Sequence, residues 1–216
     1  MSDAPTITPD NPVRIGPGRL VLVVGPSGAG KDTLLNLARA ACAEDRTIVF
    51  PRRIVTREAS ASEDNRQLAP ESFRAALARG EFAVHWEAHG HRYALPRDLD
   101  DEIRAGRTVV ANVSRTVVVA LRRIYADVVV VEITAPPELL AERLALRARG
   151  SDGAIELRLR RNVDAAYAAP DITIINVGDA EPNARQLLAA IKGDPQHGAQ
   201  GREGHDHVDH RDDRSA

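Results

Sequence analysis

The chain has 216 residues, of which 28% are charged and 43% hydrophobic, and its formal net charge is −2. This length suits one α/β domain with a buried core, and the composition is that of an ordinary globular protein. No run approaches the roughly 20 apolar residues that span a bilayer, the N-terminus lacks the features of a secretory signal, and the nearly neutral charge argues against a nucleic-acid partner.

The N-terminal part predicts a flexible arm and then a buried strand. Residues 1–17 are rich in proline and lack periodicity, whereas residues 18–192 predict a single domain. The continuous apolar run at 19–24 is typical of a strand buried on both faces of a parallel sheet, and residues 31–43 have helical spacing. Cys42 lies on that helix among alanines, so we expect a buried structural thiol and, because no internal disulfide is possible, a reducing, cytoplasmic setting.

Further strands and helices alternate along the chain. Strands are predicted at 47–55, 108–113, 128–133 and 172–176, and helices at 114–125, 137–149, 154–168 and 182–192. This alternation is typical of a doubly wound parallel α/β sheet. A short helix at 71–79, strands at 82–86 and 92–95, and a turn at His89 and Gly90 interrupt the alternation and predict a small insertion.

Two groups of histidines raise the question of a metal. His85, His89 and His91 lie on the predicted hairpin, where their spacing does not converge on one face, so zinc is disfavoured. Residues 193–216 have almost no apolar side chains and predict a disordered tail, which contains His197, His205, His207 and His210. Opportunistic divalent-metal binding by this tail is less favoured than a solvated segment without a role.

A glycine-rich loop joins the first strand to the first helix. Its sequence GPSGAGK fits the phosphate-loop pattern, in which backbone N–H groups surround phosphate oxygens and the following helix contributes its positive end. Lys31 is one of two lysines in a chain with 27 arginines. We therefore predict nucleotide binding by the loop, formed by Gly25, Pro26, Ser27, Gly28, Ala29, Gly30 and Lys31.

Asp32 stands where this pattern normally has Ser or Thr. It could repel phosphates, bind a metal ion, or favour the helix dipole. Many phosphate-loop enzymes hold the metal with an acid at the end of a second core strand, but here that strand ends in Asn112 and Ser114. We therefore favour Asp32 as the magnesium-organising residue, with Thr33 as hydroxyl support, over the helix-dipole interpretation.

Several separated motifs resemble the guanylate kinase family over residues 19–192. They are the loop, Thr56–Arg57 in RRIVTR, Tyr93 in GHRY, and a Pro-Pro helix that leads into arginines. The resemblance implies a P-loop NTPase fold with an insertion at about 57–97 and an arginine lid at about 147–160. It also implies that Arg57 and Tyr93 bind the acceptor phosphate and that Asn176 lies near the adenine.

The departures from that family concern the acceptor base. Guanylate kinases read guanine with a Glu and a Ser, and the aligned positions here are Val84 and Leu95. A purine would leave polar groups without partners at such a site. The family's second phosphate-binding arginine is replaced by Ser60.

A group within the same superfamily is more similar, namely the ribose 1,5-bisphosphate phosphokinases of phosphonate breakdown. The shared features are GPSGAGKD, RRIVTR, WEAHGHRY and VANVSR, so Asp32 is a feature of the group. The acids Glu63 and Asp64 match an acidic stretch there, although the group's usual His is Asn65. The resemblance implies the reaction of ATP with ribose 1,5-bisphosphate, giving ADP and 5-phosphoribosyl 1-diphosphate.

This reaction implies roles for the remaining candidates. ATP and Mg²⁺ would be held by the loop, Lys31, Asp32 and Thr33, and the sugar phosphate by Arg57, Tyr93 and one of Arg52 and Arg53, of which we favour Arg53. The lid arginines that would stabilise the transferred phosphoryl group are Arg147, Arg149 and Arg158. The alternatives are a guanylate or other nucleoside monophosphate kinase and a non-catalytic guanylate-kinase-like binding domain. The sequence leaves a homodimer open.

Overall fold

A computed structural model describes residues 14–57, 64–88, 90–148 and 169–194. Within these residues the strands are β1 (Ile15–Val24), β2 (Ile48–Val49), β3 (Arg53–Val55), β4 (Asn65–Gln67), β5 (Phe82–Ala88), β6 (His91–Pro96), β7 (Thr108–Asn112), β8 (Tyr125–Thr134) and β9 (Ile172–Ile175). The helices are α1 (Lys31–Ala41), α2 (Pro70–Ala78), α3 (Leu99–Arg104), α4 (Val118–Ile124), α5 (Pro137–Ala148) and α6 (Ala180–Lys192), and a 3₁₀ turn spans Arg115–Val117.

The larger sheet is parallel and has β1 at its centre, in the order β2-β7-β1-β8-β9. Residues Leu20 to Val24 are fully buried, because both faces of this strand are covered. Alternate residues of a strand point to opposite faces. Accordingly, Leu20 and Leu22 pack in a cluster with α3 and α4, and Val21 and Val23 pack in a second cluster with α1 and α6. The predicted doubly wound α/β architecture is confirmed.

The smaller sheet has the order β4-β3-β6-β5 and contains the predicted hairpin as β5 and β6, whereas β3 lies before the predicted insertion at about 57–97. β6 is antiparallel to both β3 and β5, whereas β3 and β4 are parallel. Helix α2 covers this sheet through Phe73, which packs against Phe82 with the ring centroids 4.7 Å apart.

Several predicted boundaries differ from the structure. The single strand predicted at 47–55 is wrong, because the chain leaves the large sheet after β2 and enters the small sheet as β3, with Pro51 between them. The helix predicted at 114–125 begins as the 3₁₀ turn, and Tyr125 already belongs to β8. β1 begins at Ile15, inside the predicted arm, and α3 and β4 were not predicted.

The predicted helix at 154–168, most of the predicted lid and the tail from residue 195 lie outside the described residues. None of the helices in the described part of the chain has both the length and the apolar character needed to cross a membrane.

Candidate functional site

The glycine loop lies between the end of β1 and the start of α1. Gly25, Gly28 and Gly30 have φ angles of 142°, 87° and 87°, which side-chain-bearing residues rarely adopt. A Cβ atom at Gly30 would collide with the Asn176 amide, and one at Gly25 would collide with the Ile133 carbonyl. The N-cap of α1 is Gly30, which has no side chain to cap the first turn, so the N–H groups there are suited to phosphate oxygens.

Lys31 lies across this loop. Its Nζ donates to the carbonyl oxygens of Gly25 and Pro26, each at 2.8 Å. The ammonium group is therefore held at the loop itself rather than extended into solvent. This position is the one from which a lysine can reach phosphates that the loop surrounds.

The outer side of the loop is braced by a buried pair of asparagines. Asn176 Nδ2 donates to the Ala29 carbonyl at 2.7 Å, and Asn176 Oδ1 accepts from Asn183 Nδ2 at 3.0 Å. Arg143 of α5 joins them by donating to the carbonyls of Gly28 and Asn176. The structure thus places Asn176 against the loop, and it adds Arg143 and Asn183, which the sequence did not single out.

Asp32 meets the end of β7. Asn112 Nδ2 donates to Asp32 Oδ1 at 3.2 Å, so the loop acid and the amide at the strand end lie side by side. Thr33 is exposed and does not line the cleft described below. Within the described residues, no group of three or more His, Cys, Asp or Glu side chains could hold a metal ion.

The candidate acceptor residues lie in the smaller sheet. The Arg53 guanidinium lies 5.3 Å from the centroid of the Tyr93 ring, which also stacks on Trp86 at 5.7 Å. Arg53 Nε donates to Asn65 Oδ1 at 3.3 Å. Arg57 lies two residues after the end of β3 and is half-buried. Cation–π contact and hydrogen bonding thus fix the Arg53 side chain.

The two positions aligned above with the guanine-binding residues of guanylate kinases lie opposite each other on neighbouring strands. Val84 of β5 and Leu95 of β6 are register partners, and Leu95 is fully buried. Both side chains are apolar, so this pair offers no hydrogen bond to a base edge. Burial of a base here would leave its polar atoms unsatisfied, which is costly.

A cleft joins the glycine-loop end of α1 to the smaller sheet. It brings together the predicted residues Asp32 and Arg53, whereas Tyr93 and Arg57 do not line it. Its walls are formed by Asp32, Leu35, Asn36, Arg39, Phe50, Pro51, Arg53, Asp64, Asn65, Leu95, Val110 and Asn112. The Arg147 side chain and all of Arg149 and Arg158 lie outside the described residues, so their predicted roles stay predictions.

Two buried titratable groups away from the cleft, Cys42 and Tyr125, have shifted pKa values. Burial raises the pKa of the Cys42 thiol, which disfavours the nucleophilic thiolate. Burial, followed by the 2.6 Å hydrogen bond from Tyr125 Oη to Asp100, raises the pKa of Tyr125 well above its usual value. Neither group contacts the cleft, so both are structural.

Comparison with known proteins finds relatives that share one name. Ribose 1,5-bisphosphate phosphokinase PhnN of Bradyrhizobium diazoefficiens is 61% identical over 192 residues, which cover 89% of this chain and 97% of the relative. The protein of the same name from Rhodopseudomonas palustris is 64% identical over 183 residues, which cover 84% and 93%. Guanylate kinase from Anaplasma phagocytophilum shares the fold, with a TM-score of 0.58 and 23% identity over 82% of this chain and 85% of that one. No protein-family model matches the chain.

Proposed function

This chain belongs to the ribose 1,5-bisphosphate phosphokinase family, and on that premise we propose that it phosphorylates ribose 1,5-bisphosphate with ATP and Mg²⁺. The products would be ADP and 5-phosphoribosyl 1-diphosphate, formed during phosphonate breakdown in the cytoplasm. An oxygen of the C1 phosphate attacks the γ-phosphorus, and the bond to the β–γ bridging oxygen breaks. ADP leaves with that electron pair.

The donor end of the cleft suits a nucleoside triphosphate. The loop glycines and the uncapped start of α1 present N–H groups to phosphate oxygens. Lys31 Nζ, now bonded to two loop carbonyls, can exchange these neutral acceptors for anionic oxygens of the β and γ phosphates.

The side chains beside the loop that could coordinate a metal ion fit magnesium. Asp32 contributes a carboxylate and Asn112 an amide at one edge of the cleft, and Mg²⁺ prefers oxygen ligands, often one or two carboxylates with substrate phosphates and water. When bound, the ion would neutralise charge on the β and γ oxygens. Asp32 would hold it, and Asn112 would orient the Asp32 carboxylate. Thr33 stays a weaker candidate because it is exposed.

The end of the cleft that would bind the sugar phosphate needs cationic side chains rather than a general base. The attacking oxygen belongs to a phosphate and is already ionised near neutral pH, so the work of the protein is positioning and charge stabilisation. Arg53 is held over Tyr93 beside the cleft, and Arg57 follows on the same segment. We assign these three residues to the sugar phosphate, and Arg147, Arg149 and Arg158 to the transferred phosphoryl group.

The observation that carries the choice of acceptor is the apolar Val84–Leu95 pair. A guanylate kinase would have to provide hydrogen-bond partners for the polar atoms of guanine at these positions, whereas a sugar bisphosphate has no base that needs them. The non-catalytic alternative leaves the ordered loop and the position of Lys31 without a purpose.

An acceptor comparison tests the proposal. ADP formation would be measured with MgATP and either ribose 1,5-bisphosphate or GMP, and phosphorus NMR would identify a new diphosphate on C1. We expect turnover of the sugar bisphosphate and its loss in Lys31→Met. Turnover of GMP alone would establish the nucleotide kinase instead, and calorimetry showing no magnesium-dependent ATP binding would support the non-catalytic domain.

A further inference from the structure

We propose that Arg39 and Arg52 form the binding site for the 5-phosphate of ribose 1,5-bisphosphate, the phosphate that does not react. This inference rests on the function proposed above. A bisphosphate acceptor needs two anion sites, one beside the donor for the C1 phosphate and one farther away for the C5 phosphate.

One face of α1 connects the two ends of the cleft. Asp32, Asn36 and Arg39 all line it, and their spacing of four and three residues places them on the same helix face. Seven residues of helix rise about 10 Å. Asp32 therefore marks the donor end, and Arg39 is set well away from it along the same wall.

Two arginines from different elements converge on Asp64, which lines this far end together with Arg39, whereas Arg52 pairs with Asp64 from outside the cleft lining. Arg52, in the link between β2 and β3, places Nε 2.7 Å from Asp64 Oδ1. Arg39 of α1 places Nη1 3.6 Å from Asp64 Oδ2. Each oxygen of one carboxylate thus has a guanidinium beside it, and this is an arrangement that equally suits two oxygens of a phosphate.

The Asp64 carboxylate is an exchangeable partner. The side chains of Arg39, Arg52 and Asp64 are 37%, 61% and 45% exposed, and ion pairs this open to solvent contribute little to stability. A phosphate dianion carries more charge and more acceptor oxygens than a carboxylate. It can therefore replace Asp64, which is then available to the sugar hydroxyls.

The arginines are positioned before any ligand arrives. The Arg39 guanidinium lies 5.4 Å from the centroid of the Phe50 ring, and Arg52 Nη2 reaches the Asn65 carbonyl at 3.5 Å. A restrained guanidinium loses less freedom on binding than a mobile one. Arg39 and Arg52 thus form a cationic site around Asp64 at the far end of the cleft, and apolar Leu95 lines the same cleft.

The test compares acceptors that differ only in the C5 phosphate. We would measure kcat/KM for ribose 1,5-bisphosphate and ribose 1-phosphate in wild type, Arg39→Ala and Arg52→Ala, with saturating MgATP. Loss of a charge-assisted contact predicts a fall of about 10- to 100-fold for the bisphosphate in each variant, and an unchanged value for ribose 1-phosphate. The inhibition constant of ribose 5-phosphate against the acceptor should rise by a similar factor.

Arg74→Ala is the matched control, since Arg74 is an exposed arginine of α2 that pairs with Glu71 away from the cleft. It should leave all three constants unchanged, and thermal unfolding would check that each variant is folded. Equal losses for both sugar acceptors, or an unchanged inhibition constant for ribose 5-phosphate, would overturn the proposed site. Wild type that never turns over ribose 1,5-bisphosphate would instead overturn the proposed function. If ribose 1-phosphate reacts too slowly to measure, the inhibition constants decide.

Discussion

Asp32→Asn is the most direct test of the metal assignment, because it removes one charge and keeps the size of the side chain. Asp32 Oδ1 accepts a hydrogen bond from Asn112 at 3.2 Å, and an asparagine carbonyl at the same place can accept it too. The position is only half-buried. The free energy of unfolding should therefore change by less than about 1 kcal/mol.

Catalysis should suffer far more than stability. A neutral amide is a weaker magnesium ligand than a carboxylate, and the neighbouring strand end supplies only Asn112 and Ser114. Loss of one preorganised electrostatic partner of the transition state typically costs about 3–4 kcal/mol. This cost corresponds to a fall in kcat of about 10²- to 10³-fold, together with a higher magnesium requirement.

The assay is ADP formation from ATP and ribose 1,5-bisphosphate over a magnesium titration. Asp32→Ser combined with Asn112→Asp is the matched rescue, since it moves the carboxylate across the contact to the strand end and puts a hydroxyl in the loop. We expect the double variant to be at least about tenfold faster than Asp32→Ser alone, because substitutions of residues in contact are energetically coupled. A wild-type rate and magnesium dependence in Asp32→Asn would refute the assignment.

Three further changes probe the glycine loop, the asparagine that braces it, and a buried hydrogen bond away from the cleft. Gly30→Ala should lower the free energy of unfolding by about 1–3 kcal/mol and weaken ATP binding in calorimetry, because its methyl group meets Asn176 at φ 87°; wild-type affinity would contradict this. Asn176→Ala should raise the Kd of ATP and cost about 1–3 kcal/mol in urea unfolding by leaving the Ala29 carbonyl unpaired; unchanged values would rule out the brace. Tyr125→Phe should cost about 1–3 kcal/mol at pH 8 by removing the donor to buried Asp100. Because folding raises the pKa of Tyr125, its contribution to the free energy of unfolding is complete below about pH 10 and is lost as the pH rises further. The difference in free energy of unfolding between wild type and Tyr125→Phe should therefore shrink above about pH 10 in urea unfolding. A constant difference would refute this.

Local signals predicted most of the core. The apolar run of β1, the glycines after it and the helical spacing of α1 each depend on neighbouring residues, and the structure contains all three in order. The sequence argument compared Asp32 with the acid absent from the strand end, and the structure places Asn112 of that strand end in hydrogen-bond contact with Asp32. The magnesium role of Asp32 stays a prediction.

Other features depend on partners distant in sequence. The apolar residues around Pro51 look like one strand, and only pairing of Ile48 with Thr108 and of Ile54 with Ala94 assigns the halves to different sheets. Arg39 and Arg143 were missed because 27 arginines make each one look like ordinary helix charge. The spacing of Arg39 from Asp32, seven residues along the phosphate-loop helix, was the signal that could have found it.

The cross-strand pairing of Val84 with Leu95 has a consequence for how acceptor preference could evolve. Leu95 is fully buried and Val84 is half-buried. A polar group introduced at position 95 alone would therefore lose water without gaining a partner, whereas one at position 84 would keep part of its hydration. A lineage moving from a sugar to a nucleotide acceptor would thus incur a smaller cost if position 84 became polar before position 95.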